Sequence, residues 1–106
     1  MVVPKHSESE ILEKVKTSIE TGRYIILPHA RLRTKERKVL PKDIECALLN
    51  GKRTKKRDRQ DALLKTWSYA FEGSTIDERE LRVIVAIDDL LKIVTVVILN
   101  EEGEDL

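Results

Sequence analysis

Two apolar segments near the C-terminus restrict the fold more than any other feature: Leu81-Arg-Val-Ile-Val-Ala-Ile87 and Ile93-Val-Thr-Val-Val-Ile-Leu99. Both have strand length and are rich in β-branched residues. The first is apolar on both faces apart from Arg82, as a central strand is. Asp88-Asp89 between them is turn chemistry. Upstream, Trp67, Tyr69 and Phe71 alternate with Ser68, Ala70 and Glu72, which predicts a strand with one aromatic face. Aromatics so placed more often build a core than stack bases, and a buried Tyr69 hydroxyl needs a partner.

Before Gly51 the periodicity is helical. Ser7 and Glu10 form a capping-box pattern, followed by Ile11, Leu12, Val15, Ser18 and Ile19 on one face. Thr21-Gly22 ends that helix, and His6 lies ahead of it in a segment expected to fray. Tyr24-Ile-Ile-Leu27 is a short apolar run, and Pro28 can start the next element. His29 to Lys38 reads as a basic helix, weakly amphipathic through Ala30. Pro41 suits the first turn of another helix, with Ile44, Ala47 and Leu48 inward and Asn50-Gly51 as its stop. Helices first and hairpin-linked strands afterwards predict an α+β domain, its N-terminal helices packed on one face of a C-terminal antiparallel sheet. The reading is one domain over residues 1–106, with an acidic tail at 100–106.

A chain of 106 residues with 41% hydrophobic and 37% charged content has the composition of a soluble globular domain. No apolar run reaches the roughly 18 residues of a membrane span. A single cysteine excludes an intramolecular disulfide, so a reducing cytoplasm is the expected location. Cys46 lies in an apolar helical pattern and is read as a buried structural thiol.

The net charge of +1 conceals a segregation. Residues 29–59 carry twelve Lys/Arg against four acids, or +8, which leaves −7 for the rest. Such a split can draw a polyanion to one face of a nearly neutral molecule. Within it, Lys52, Arg53, Lys55, Lys56, Arg57 and Arg59 form the expected RNA-binding run. His29, Arg33 and Arg37 fall at i, i+4 and i+8, one stripe on a helix. Like charges at that spacing repel, and a phosphate filling the stripe would relieve them. Histidine is suited to proton transfer near neutrality. Cleaving RNA without a metal requires deprotonating a 2′-hydroxyl, protonating the 5′-oxygen and stabilising a phosphorane dianion. One His, several Arg and a Tyr contain those roles; the plainer alternative is a histidine that only caps its helix. No zinc-ligand cluster, glycine-rich phosphate loop or Ser-His-Asp order is present, so neither metal nor cofactor is expected.

The ordered series "HARLRTKER", "LPKDIECALLNGK", "WSYAFEGSTIDERELRVIV" and "LKIVTVVIL" resembles a widespread uncharacterised family of small bacterial proteins. That family carries His-Ala-x-x-Arg-x-x-x-Arg, a helix ending Asn-Gly, a Trp-x-Tyr-Ala strand and a Leu-Arg-Val strand. The resemblance covers roughly residues 27–99. In layout the family is similar to the RelE and MqsR toxins, compact α+β metal-independent ribonucleases paired with a small antitoxin, zinc-binding in the MqsR-like case. The resemblance implies a toxin-type endoribonuclease acting on single-stranded or ribosome-bound mRNA. Its site would comprise His29, Arg33, Arg37, Tyr69 and Arg82. The i, i+4, i+8 stripe and the lone charge in an apolar strand predict that His29, Arg33, Arg37 and Arg82 meet on one concave, solvent-reachable surface. The pattern departs from RelE and MqsR catalysts in using a helix histidine. The alternative is a non-catalytic RNA- or protein-binding module using the same basic face.

Overall fold

The computed structural model describes residues 4–61 and 65–99. Helices α1 (Glu8–Thr21), α2 (Pro28–Glu36) and α3 (Pro41–Asn50) come first, with a short strand β1 (Tyr24–Ile26) between α1 and α2. Then follow β2 (Lys52–Arg53), a 3-10 turn at Lys55–Arg57, β3 (Arg59–Asp61), β4 (Thr66–Ser74), β5 (Glu80–Ile87) and β6 (Leu91–Ile98). The α+β class is as the sequence predicts. The sheet runs β1-β6-β5-β4-β2, with β3 also paired to β4, so β5 is central. In one respect the expectation is corrected. The sheet is mixed, because β1 pairs in parallel with β6 while the other ladders are antiparallel. An apolar run of this length has no period from which an edge strand can be recognised.

The helix ends follow from local chemistry. The Ser7 hydroxyl accepts from the Glu10 amide, and the Glu10 carboxylate accepts from the Ser7 amide. Gly22 closes α1 in the left-handed region at φ 70°. Pro28 and Pro41 occupy the first turns of α2 and α3. Helix α2 ends in a Schellman arrangement, the Lys38 and Val39 amides donating to Lys35 and Thr34 carbonyls. Lys38 adopts φ 57° there, where glycine is usual. The Arg79 guanidinium offsets that strain from the β4–β5 turn, donating to the carbonyls of Arg37 and Lys38 and to the Asp43 carboxylate.

One core lies between the helices and one sheet face. Ile11, Val15 and Ile19 of α1, Ala30 of α2, and Ile44, Ala47 and Leu48 of α3 meet Tyr69, Phe71, Leu81, Val83, Val85, Leu91, Ile93, Val96 and Ile98. Leu12, predicted on the buried face of α1, is instead 49% exposed. Strand β6 turns both Ile93 and Val96 inward because its register shifts by one residue opposite Ile84/Val85. Helix α3 sits very close to the sheet edge. A Cβ at Gly51 or Gly73 would collide with the Ala47 carbonyl oxygen, so glycine is required at both positions.

Candidate functional site

Helix α2 buries little besides Ala30 and Thr34 and presents the rest of its surface to solvent. Its N-cap, Leu27, offers no side-chain hydrogen bond, so the dipole end of the helix is not neutralised by its own cap. His29 stands exposed in that first turn, and Arg33 stands exposed one turn on. Arg37 follows the last helical residue, half-buried, with φ −97° and ψ 5°. Arg33, Thr34 and Arg37 share a small crevice with Val39 and Val96–Ile98 of β6. Arg33 and Arg37 thus meet beside β6, and His29, exposed one turn before Arg33 on α2, extends this basic ridge.

Two members of the expected site are elsewhere. Arg82 alternates with the buried Leu81 and Val83, so its side chain leaves the sheet on the face away from the helices. There it faces Glu72 in register and donates to it at 2.9 Å. A sheet covered by helices on one side leaves the other free to hold such pairs. Tyr69 points to the helix side but is fully buried, and its hydroxyl accepts from the His6 amide at 2.9 Å. Burial, above all, raises its pKa, although the His6 hydrogen bond opposes this. A buried tyrosine whose proton is harder to remove is unsuited to exchange with a substrate on α2. Arg82 therefore does not meet His29, Arg33 and Arg37 on one concave surface, and Tyr69 is shut inside; Arg33 and Arg37 share a crevice, with His29 exposed one turn before Arg33.

The basic run also divides. Lys52, Lys55, Lys56, Arg57 and Arg59 are exposed. Arg53 is not part of that surface. In register with Phe71, it turns to the helix side, its side chain 6% exposed, over the rings of Tyr69 and Phe71. Its five N–H donors are all used: Nε and one Nη2 donor on Glu8, one donor from each Nη on Asp58, and the remaining Nη1 donor on the Ala70 carbonyl. Asp58, its side chain 2% exposed, also accepts from the Ala70 amide and from Lys5. Burial pushes the Asp58 pKa up, but the Arg53 hydrogen bonds with those of Ala70 and Lys5 outweigh it, leaving the carboxyl below its ordinary value.

This hub joins residues that no sequence pattern linked. His6 is held by Tyr69 rather than fraying, Lys5 lies 5.0 Å over the Trp67 ring, and Glu8 closes on Arg53. A lone acid between Arg57 and Arg59 was the one available hint that a neighbouring cation turns inward. Cys46 is half-buried, its thiol against the Ser74 carbonyl and Asn50. Among the described residues no group of three or more His, Cys, Asp or Glu could hold a metal ion, and no helix is long and apolar enough to cross a membrane. The acidic tail lies outside the described residues.

Fold and site together define a small α+β domain with an exposed basic helix beside β6 and a closed polar hub beside β2 and β4. Residues 26–98 match DUF4258, a domain of unknown function, and the chain belongs to that family. No curated protein and no solved structure matches it. The family match begins after α1, so the Arg53, Asp58, Trp67 and Tyr69 of the hub lie within it and Lys5, His6 and Glu8 outside.

Proposed function

We propose that this domain engages RNA through the His29–Arg33–Arg37 ridge and cleaves it there as a metal-independent, toxin-type endoribonuclease. The observation that carries the reading is an exposed imidazole at the uncapped N-terminus of α2, one turn from an exposed arginine on the same stripe. The arginines hold the phosphate and the helix dipole favours its charge. His29 accepts the 2′-hydroxyl proton; the O2′–P bond forms as the P–O5′ bond breaks, and the 5′-oxygen takes a proton from water. Tyr69 and Arg82 have no part in the step. A small antitoxin, possessing a zinc site if the likeness to MqsR extends so far, is the partner such a toxin requires, and the cytoplasm is where both would act.

The deciding assay is cleavage in EDTA, on free RNA and on ribosome-bound mRNA, with analysis of the new ends. Wild type should leave 2′,3′-cyclic phosphate or 3′-phosphate, and a 2′-deoxy substitution at the cut position should block it. His29→Ala should lower the rate by about 10²–10⁴-fold, the usual loss for an acid–base group, with binding kept within roughly tenfold. A second reading, a non-catalytic RNA- or protein-binding module on the same face, is favoured by the burial of Tyr69 and by Arg82 pairing with Glu72 on the other face of the sheet. Intact RNA with both wild type and His29→Ala would establish it in place of the enzyme.

A further inference from the structure

The Arg53 hub is built like a ligand site with an occupant already in it. Asp58 and the Ala70 carbonyl, both inside the fold, fix the guanidinium from behind. The two donors left, Nε and one on Nη2, form the outward fork, and a bidentate oxyanion is what such a fork binds best. Glu8 fills it, at 3.1 and 3.2 Å. Beside it, Lys5 covers the Trp67 ring and reaches Asp58 at 3.2 Å. The segment making these contacts, residues 4–8, buries none of its own side chains. It is attached by ion pairs, a cation–π contact, the edge of the His6 ring against Tyr69 and one amide; its own ends of the ion pairs, Lys5 and Glu8, are 40% and 36% exposed, so water reaches them although Arg53 and Asp58 are covered.

We propose that Arg53 and Trp67 form a nucleotide-binding site that residues 5–8 occupy in the resting molecule. The Glu8 carboxylate stands where a phosphate binds, and the Lys5 ammonium covers the indole face on which a base stacks. Lifting residues 5–8 gives up the Ser7–Glu10 cap and the first residue of α1 but opens both positions, while Ile11, Val15 and Ile19 still anchor α1 in the core. Asp58 opposes an incoming phosphate, but the exposed Lys55, Lys56, Arg57 and Arg59 flank it in the chain and reverse the local field. The occupying segment lies outside the family match while the fork and indole lie inside it. The arrangement is thus an intrachain cover on a site of the shared domain. It is separate from the α2 ridge and does not depend on cleavage.

Trp67 is the only tryptophan, so its fluorescence reports the site directly. The titrants are adenosine monophosphate, adenosine and inorganic phosphate, against wild type and the Lys5→Ala/Glu8→Gln variant. Adenosine monophosphate should bind the variant at least tenfold more tightly than wild type, and at least tenfold more tightly than adenosine or phosphate binds that variant. If the double variant does not fold by circular dichroism, Glu8→Gln alone, which retains the helix start, carries the same expectation. A folded variant with no response, or one in which phosphate or adenosine alone binds as well as the nucleotide, would show that residues 5–8 are only a clamp.

Discussion

Arg33 stands in solvent on α2, whereas Arg53, of the same residue type and within the same basic third of the chain, uses all five of its donors inside the fold. The difference is positional. Helix α2 buries only a narrow strip, so a cation on any other part of it stays hydrated. Strand β2 puts alternate residues on opposite sheet faces, and Arg53 takes the side that α1 covers. A covered guanidinium needs a full set of acceptors, because an unpaired buried charge is costly. Net charge therefore says where a polyanion is attracted, and burial says which cations are free to meet it.

The comparison can be broken most forcefully at Asp58. Asp58→Ala leaves the Arg53 guanidinium covered without its inner partner and should lower the unfolding free energy by about 3–5 kcal/mol, the usual cost of removing one member of a buried pair. Urea denaturation measures it; a loss under about 1 kcal/mol would make the hub no different from a surface ion pair.

Acid titration tests the same carboxylate without removing it. Its folded pKa lies below the ordinary 3.8, so its contribution is complete at neutral pH and is lost as pH falls from that value through the lower folded one. Asp58→Asn should thus be destabilised at pH 7 but lose less further stability on acidification than wild type. Parallel curves from pH 7 to pH 2 would contradict this assignment.

On the open side, the effects should appear in binding rather than stability. Lys52, Lys55, Lys56 and Arg57, if all engaged, give single-stranded RNA a slope of log affinity against log salt of about −3, at roughly −0.7 per phosphate. Changing Lys55, Lys56 and Arg57 to Glu should flatten that slope and weaken all RNA sequences alike; an unchanged slope would leave the turn as solvated surface. The smallest expected effect is on stability at Arg33. Arg33→Ala should shift the unfolding free energy by no more than about 0.5 kcal/mol, as exposed substitutions do, while reducing RNA affinity. A larger loss of stability would mean that α2 depends on this side chain for its fold.

Much of the architecture was legible because it is local. Ser7 with Glu10, Gly22, Pro28, Pro41 and Asn50-Gly51 mark helix ends through hydrogen bonds and dihedral preferences that act within a few residues. The alternation of Trp67, Tyr69 and Phe71 reveals its strand through a period that burial on one face imposes. The His29–Arg33 pair was readable for the same reason, since i, i+4 spacing is a property of one helix, whereas Arg37 falls just past the end of α2. Leu12 shows the limit: its position suits the apolar stripe of α1, yet its neighbours leave half of it exposed.

Sequence by itself determined the α+β class, the order of the three helices and the last three strands, the central place of β5 and the exposure of a basic α2; the short strands β1, β2 and β3 carry no pattern of their own. Only the tertiary structure decided that β1 joins the sheet in parallel, that β6 shifts register opposite Ile84/Val85, and that Arg82 and Tyr69 leave the company of His29. Tertiary structure alone also turned Arg53 inward to Glu8 and Asp58, contacts separated by 45 and 5 residues along the chain. The face on which a strand residue emerges depends on register and on which layer covers the sheet, and both are set by partners far away in sequence. A charged side chain carries no mark of whether its counter-ion will be water, a carboxylate or a ligand; the fold assigns it one.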